Sequence, residues 1–283
     1  VLGVVPALQI AGIFPGANHR KEQTKQLRNK TPENGNSSAK KRIKGKTRSK
    51  NISEVSPILV PTDQTMTEIE RLEVKLIWFN VAKANQTILV TSSVGGDGKS
   101  TISLLLAQAI AKNINKKTLL IDFDLRRSKQ HHLFGVDREP GLSDLLTSDI
   151  PVTSCLRDTP FPNLTLITGG KKLESPDEFL KINNIENFMV KIVDHFEYII
   201  IDSPPVLPVS DPLILSKLVD QIVFVIKAGF TSKNMVYRTM DMLEDLDVRV
   251  TGVVLNNLGN VLPYYYNHKY YGYSYDKKNS SAD

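Results

Sequence analysis

Six short apolar runs rich in β-branched residues, separated by stretches of helical period, restrict this chain more than any other feature. The runs occupy residues 87–91, 118–121, 164–168, 198–201, 221–226 and 248–255, and helical patterns fill 99–112, 185–195, 212–219 and 234–246. Strands of this kind alternating with helices predict βαβ crossovers and a mostly parallel central sheet with helices on both faces. In such a sheet ligands bind beyond the carboxyl ends of the strands. One helix is expected ahead of the first strand. Thr67, with Glu70 three residues on, forms a capping box, and Ile69, Leu72, Leu76 and Phe79 share a face. Trp78, near the end of that helix, is expected to pack against the domain.

Past the first run the chain reads Thr91-Ser-Ser-Val-Gly-Gly-Asp-Gly-Lys-Ser-Thr101. Gly98, Lys99 and Ser100 match the end of the phosphate-loop pattern G-x-x-x-x-G-K-[ST], while Ser93 takes the place of its first glycine. Glycines let the backbone curl so that successive N–H groups and the helix N-terminus face phosphate oxygens. Lys99 then reaches the β and γ phosphates and the Ser100 hydroxyl binds Mg²⁺. Val94, Gly95, Gly96, Asp97, Gly98, Lys99, Ser100 and Thr101 are therefore the candidate nucleotide cradle. An isolated match of this kind is also what an ordinary glycine-rich turn looks like; the strand before it and the helix after it favour the phosphate loop. The fold expected is thus α/β and P-loop NTPase-like.

Two further strands end in acids. Asp122, Asp124 and Arg126 follow the second run, and Asp202 follows the fourth, just ahead of Pro204 and Pro205. Singly, each acid is a plausible turn or helix cap. Three carboxylates beside a phosphate loop point to Mg·ATP, with the acids facing the metal and an attacking group.

Charge and composition divide the 283 residues further. Residues 20–50 hold twelve Lys and Arg against Glu22 and Glu33, leaving 24 basic and 28 acidic groups elsewhere, so the net +6 belongs to this segment. It lacks any apolar period and is rich in Lys, Asn, Ser, Gly and Thr, which predicts disorder. The apolar stretch before it is broken by Pro6 and Pro15 and is shorter than a bilayer span. An apolar stub followed by a polybasic run is what the cytoplasmic side of a membrane anchor looks like, drawn to anionic head groups. A solvated spacer remains the plainer alternative, and a nucleic-acid arm is disfavoured by the acidic domain that follows. Cys155 is the single cysteine, which excludes an intrachain disulfide and fits a reducing compartment. The organisation expected is a stub and linker over 1–64, an ATP-binding domain over 65–260 and a tail over 261–283. Seven of the nine tyrosines lie in that tail: Tyr264, Tyr265, Tyr266, Tyr270, Tyr271, Tyr273 and Tyr275.

The Walker loop, the D-x-D-x-R of Asp122, Asp124 and Arg126, and the Asp202-x-Pro204-Pro205 segment together resemble the bacterial tyrosine kinases, cytoplasmic ATP-binding modules of polysaccharide co-polymerases. The resemblance runs from about residue 65 to the end, with lesser echoes at Gly141-Leu-Ser-Asp-Leu-Leu146, Pro176-Asp-Glu-Phe-Leu180 and Gly252-Val-Val-Leu-Asn256. It implies that the tail tyrosines are phosphate acceptors, mainly between subunits, and that Lys99, Asp122, Asp124 and Asp202 carry the chemistry. It further implies Mg²⁺ on Ser100, Asp122 and Asp202, with Asp122 or Asp124 as base, and Arg126 on ATP. A phenol of pKa near 10 is protonated at neutral pH, so a nearby carboxylate helps on general grounds. A twenty-residue tail extended at about 3.3 Å per residue reaches some 65 Å, enough to enter a neighbour's site.

The partners implied are further copies of itself in a ring, a transmembrane co-polymerase segment in the same or a partner chain, a protein-tyrosine phosphatase and an anionic membrane surface. Nucleic acid is not among them. The resemblance also implies capsular or exopolysaccharide synthesis and a place at the cytoplasmic face of the bacterial inner membrane, with this chain a soluble fragment. Within the family's first-helix pattern E-x-x-R-x-x-R, Glu68 and Arg71 are present as interface candidates, and Val74 stands at the third position. Asn256 and Asn257 are read either as adenine contacts or as turn residues. Two other readings stay open. One is a partition-type switch ATPase, although its signature lysine position here is Val94; the other is an ATP-binding scaffold that transfers no phosphate.

Overall fold

The computed structural model describes residue 61 and residues 63–79 and 83–257. The polybasic segment and the tyrosine tail lie outside the described residues. The elements follow in the order α1 (Asp63–Phe79), β1 (Gln86–Ser92), α2 (Lys99–Asn113), β2 (Thr118–Asp122), α3 (Gln130–Phe134), α4 (Leu142–Thr147), β3 (Leu156–Asp158) and β4 (Leu164–Ile167). Then come α5 (Ile182–Ile192), β5 (Tyr198–Asp202), α6 (Asp211–Ser216), β6 (Gln221–Lys227), α7 (Lys233–Glu244) and β7 (Gly252–Asn256). The sheet runs β3-β4-β2-β5-β1-β6-β7. Every neighbouring pair is parallel except β3 with β4.

Period-two alternation in the strands builds two cores, one on each face. Ile88 and Val90 of β1, Leu120 of β2, Ile200 of β5 and Val223 and Val225 of β6 join α1 and α2 on one side. Leu89, Leu119, Ile121, Ile199, Ile201 and Ile222 point to the other, where Ile185, Phe188, Met189 and Ile192 of α5 cover them. Because α2 lies between sheet and α1, it is apolar nearly all round, from Ile102 to Ala111. Ile69, Leu72 and Leu76 dock α1 onto it at 3 % exposure or less, each worth about 1.5–3 kcal/mol of transfer free energy before entropy is subtracted. Asn113 donates to Glu73 Oε2 at 2.7 Å across the same contact.

Four expectations need correction. Thr67 is not the cap of α1: the helix starts at Asp63, and the Thr67 hydroxyl donates to the Asp63 carbonyl at 3.0 Å from within it. The acid at Asp63 lies in the first turn, where it is favourable against the helix dipole. Phe79 leaves the buried face, 68 % exposed, and Trp78 does not pack against the domain, being 76 % exposed. The last strand starts at Gly252, because Val248 N–H is taken by the Leu243 carbonyl at the end of α7. The short elements α3, α4 and β3 were not foreseen, being too brief to show a period. Among the described residues no helix is long and apolar enough to cross a membrane.

Candidate active site

The sheet order reverses at β1. The chain leaves β1 for β2 across β5 on one side, and later leaves β5 for β6 on the other, so the carboxyl ends of β1, β2 and β5 form a switch point where ligands bind. Register brings the acids together: Asp202 pairs with Val90 on one neighbour and with Asp122 on the other. Both carboxylates are fully buried.

The phosphate loop spans the gap between β1 and α2. Gly96 and Gly98 sit at φ 95° and 101°, in left-handed territory that favours glycine. A β-carbon on Gly98 would also stand 2.3 Å from Asn256 Nδ2. That amide donates to the Asp97 carbonyl at 2.9 Å, so Asn256 supports the loop from the end of β7. Asn256 ends β7 rather than lying in a turn, while Asn257, just past the strand at φ 65°, donates to the Ala228 carbonyl at 3.2 Å. Ser93, standing where the pattern has its first glycine, is buried; its hydroxyl donates to the Met235 carbonyl at 3.2 Å and accepts from Thr239 at 2.8 Å. Asp97 is fully buried, one oxygen taken by the Thr231 hydroxyl and Oδ2 without a hydrogen-bond partner.

Lys99 opens α2 and is only 7 % exposed, its ammonium donating to Ser92 Oγ at 3.2 Å. Burial pushes its pKa down, against the pull of Asp202, Asp124 and Asp97. Asp122 Oδ2 receives three donors: Ser128 Oγ at 2.7 Å and the Lys129 and Gln130 N–H groups, both at 2.9 Å. Its Oδ1 has none. Burial, then the charge of Asp202, raises Asp122 to about 7 despite those bonds. Asp202 is raised to about 6, again chiefly by burial. Its carboxylate accepts from Gln130 Nε2 at 2.8 Å and Ser103 Oγ at 3.3 Å, and from Ser100. Asp124 is half-exposed and caps the turn that follows β2, its Oδ1 accepting from the Arg127 N–H at 2.9 Å. Arg126 turns toward α6, Nη2 lying 3.5 Å from Asp211 Oδ1.

The structure thus gathers Lys99, Ser100, Asp97, Asp122, Asp124 and Asp202, and it adds residues that sequence reasoning passed over. Gln130 links the Ser100 carbonyl, at 3.0 Å, to Asp202 while its own N–H holds Asp122. Ser128, from the turn ahead of α3, donates its hydroxyl to Asp122. No spacing signals either role, since both depend on how α3 begins. A cation fits here on two grounds. A buried carboxylate oxygen lacks a partner, and one or two carboxylates with a hydroxyl and phosphates suit Mg²⁺, which keeps much of its water. Among the described residues no cluster of three or more His, Cys, Asp or Glu makes a closed metal cage. Away from the strand ends, Glu68 and Arg71 of α1 form an ion pair with each other, the acid buried and the arginine exposed. A separate cavity of about 320 Å³ between α4 and α5 is lined by none of the loop or aspartate residues.

Comparison with known proteins agrees with this geometry. The AAA domain matches residues 85–250. Tyrosine-protein kinase ptk of Acinetobacter johnsonii is 33 % identical over 183 residues, 64 % of this chain and 25 % of that protein. The putative tyrosine-protein kinase CapB of Staphylococcus aureus is 28 % identical over 225 residues, 78 % of this chain and 97 % of that one. The kinase domain of the Escherichia coli tyrosine kinase ETK superposes with a TM-score of 0.65 at 28 % identity, covering 68 % of this chain and 75 % of that domain. The match with ptk thus spans about a quarter of that relative's length, and the match with CapB nearly all of it.

Proposed function

Since the chain belongs to the bacterial tyrosine kinases and carries their AAA domain, we propose that it is an ATP-dependent protein-tyrosine kinase acting on its own C-terminal tyrosines, Tyr264 to Tyr275. The observation that carries the reading is the register-matched pair Asp122 and Asp202, buried beside Lys99 with one carboxylate oxygen free. The curled loop over residues 94–101 receives the phosphates on its N–H groups, and Lys99 neutralises the β and γ oxygens. Ser100, Asp122 and Asp202 hold Mg²⁺, which when bound offsets the charge of the phosphates. Burial suits the aspartate pair to that inner position. Asp124, half-exposed on the turn, suits the incoming phenol. The phenolic oxygen bonds to the γ phosphorus as the bond from that phosphorus to the β–γ bridging oxygen breaks; ADP leaves and the phenolic proton passes to Asp124. Positioning and charge neutralisation supply most of the acceleration in such transfers.

The family relation extends the proposal to its setting. The chain works with other copies of itself through α1, where Glu68 and Arg71 lie, and with a membrane co-polymerase segment, a phosphatase that reverses the modification and an anionic membrane surface. Its role is control of capsular or exopolysaccharide synthesis. Transfer between subunits is tested by mixing a full chain whose seven tail tyrosines are changed to phenylalanine with a Lys99→Met chain that keeps them. The expected result is phosphate on the Lys99→Met chain, with a rate per enzyme that falls on dilution. Phosphate that accumulates only on unmixed wild-type chain, independent of dilution, sinks transfer between subunits.

A further inference from the structure

Two adjacent arginines leave β2, and their side chains go different ways. Arg126 is half-buried and faces Asp211 at the start of α6. Arg127 is exposed, and its N–H is shared between Asp124 Oδ1 at 2.9 Å and the Asp124 carbonyl at 3.1 Å, which closes the turn and fixes where the side chain starts. From there Nη1 stands 3.6 Å from the point that a β-carbon on Gly95 would occupy. Among the described residues no carboxylate pairs with this guanidinium.

The loop beneath it is short of positive charge. Lys99 is its one cation, whereas Asp97, Asp122 and Asp202 are buried around it. Val94, next to Gly95, contributes an apolar side chain. Bound triphosphate would add further negative charge, and that charge spreads over the γ-phosphate oxygens during transfer. A guanidinium offers a planar fork that phosphate accepts in two parallel hydrogen bonds. We propose that Arg127 reaches over Gly95 to the terminal phosphate of the bound nucleotide and stabilises it during transfer. The contact requires only that the site bind a nucleoside triphosphate; its effect on rate rests on the kinase reading above.

The test uses the full chain as wild type and as Arg127→Ala, Arg127→Gln and Arg127→Lys, each first checked for unchanged thermal unfolding; the Gln and Lys forms carry the comparison should the Ala form unfold early. Affinity is measured with Mg²⁺ and either a non-hydrolysable ATP analogue or ADP, and single-turnover transfer to the tail is followed by mass. The proposal expects Ala and Gln to weaken the ATP analogue, to leave ADP within about twofold and to slow transfer by at least about tenfold, with Lys recovering part of the loss. Wild-type rate and affinity in Arg127→Ala overturns it, as does an equal loss of ATP analogue and ADP. Wild type that binds both nucleotides but never phosphorylates tyrosine overturns the kinase reading instead, and the ATP-over-ADP preference then decides the role of Arg127 alone. Wild type that binds neither overturns both.

Discussion

Asp122 shows how backbone geometry prepares a side chain for chemistry. Its Oδ2 is saturated by Ser128, Lys129 and Gln130, so rotation is blocked and Oδ1 is left free in a fully buried setting. Burial, joined by the charge of Asp202, lifts Asp122 from an ordinary 3.8 to about 7, and burial lifts Asp202 to about 6. The folded chain therefore holds these protons at a pH where the unfolded chain has released them. Their stabilising contribution is complete below about pH 4, is lost progressively as pH rises from there through the folded values near 6 and 7, and changes no further above them. We expect the stability of nucleotide-free Asp122→Asn relative to wild type to increase from about pH 4 to about pH 7 and to level off above that, measured by urea unfolding. A difference that does not change with pH contradicts this electrostatic account. The aspartates themselves were legible because acids ending apolar strands stand out. Gln130 and Ser128 were not, because their roles come from the direction in which α3 starts.

At the scale of elements, the phosphate loop depends on strands distant in sequence. Gly98 begins α2 with a left-handed φ of 101°, and Asn256, from the end of β7, occupies the space beside it. Gly98→Ala meets two penalties, about 1–2 kcal/mol for the backbone conformation and a collision with the Asn256 amide. Asn256→Ala loses one hydrogen bond to the loop, about 1 kcal/mol. Removing the amide also removes the collision, so the double variant should be more stable than the sum of the two single losses implies. Denaturant unfolding of all four chains measures this, and strict additivity would show that Asn256 does not crowd the loop. Sequence placed both ends of α2 well, since the loop and the apolar period mark them. It misplaced the start of α1, where Thr67 lies inside a helix begun by Asp63. It also missed β3, three residues long and the single antiparallel strand among those described.

Over the whole molecule, strand and helix alternation was sufficient to specify a parallel sheet covered on both faces, because strands buried on both sides are apolar throughout and cannot be mistaken for hairpins. The strand order was not legible: nothing local states that β5 lies between β1 and β2, although that placement is what brings Asp202 to Asp122. Exposed Phe79 shows the converse limit, since an apolar residue at the right period does not establish that the chain covers it, and Trp78 beside it is exposed as well. The central claim joins this site to the tyrosines of the tail. It is tested most directly by intact mass spectrometry of phosphatase-treated chain incubated with Mg·ATP, beside a Lys99→Met control. The account predicts stepwise gains of single phosphates that map to residues 264–275 and are absent from the control; ATP consumed with no gain in mass would contradict it.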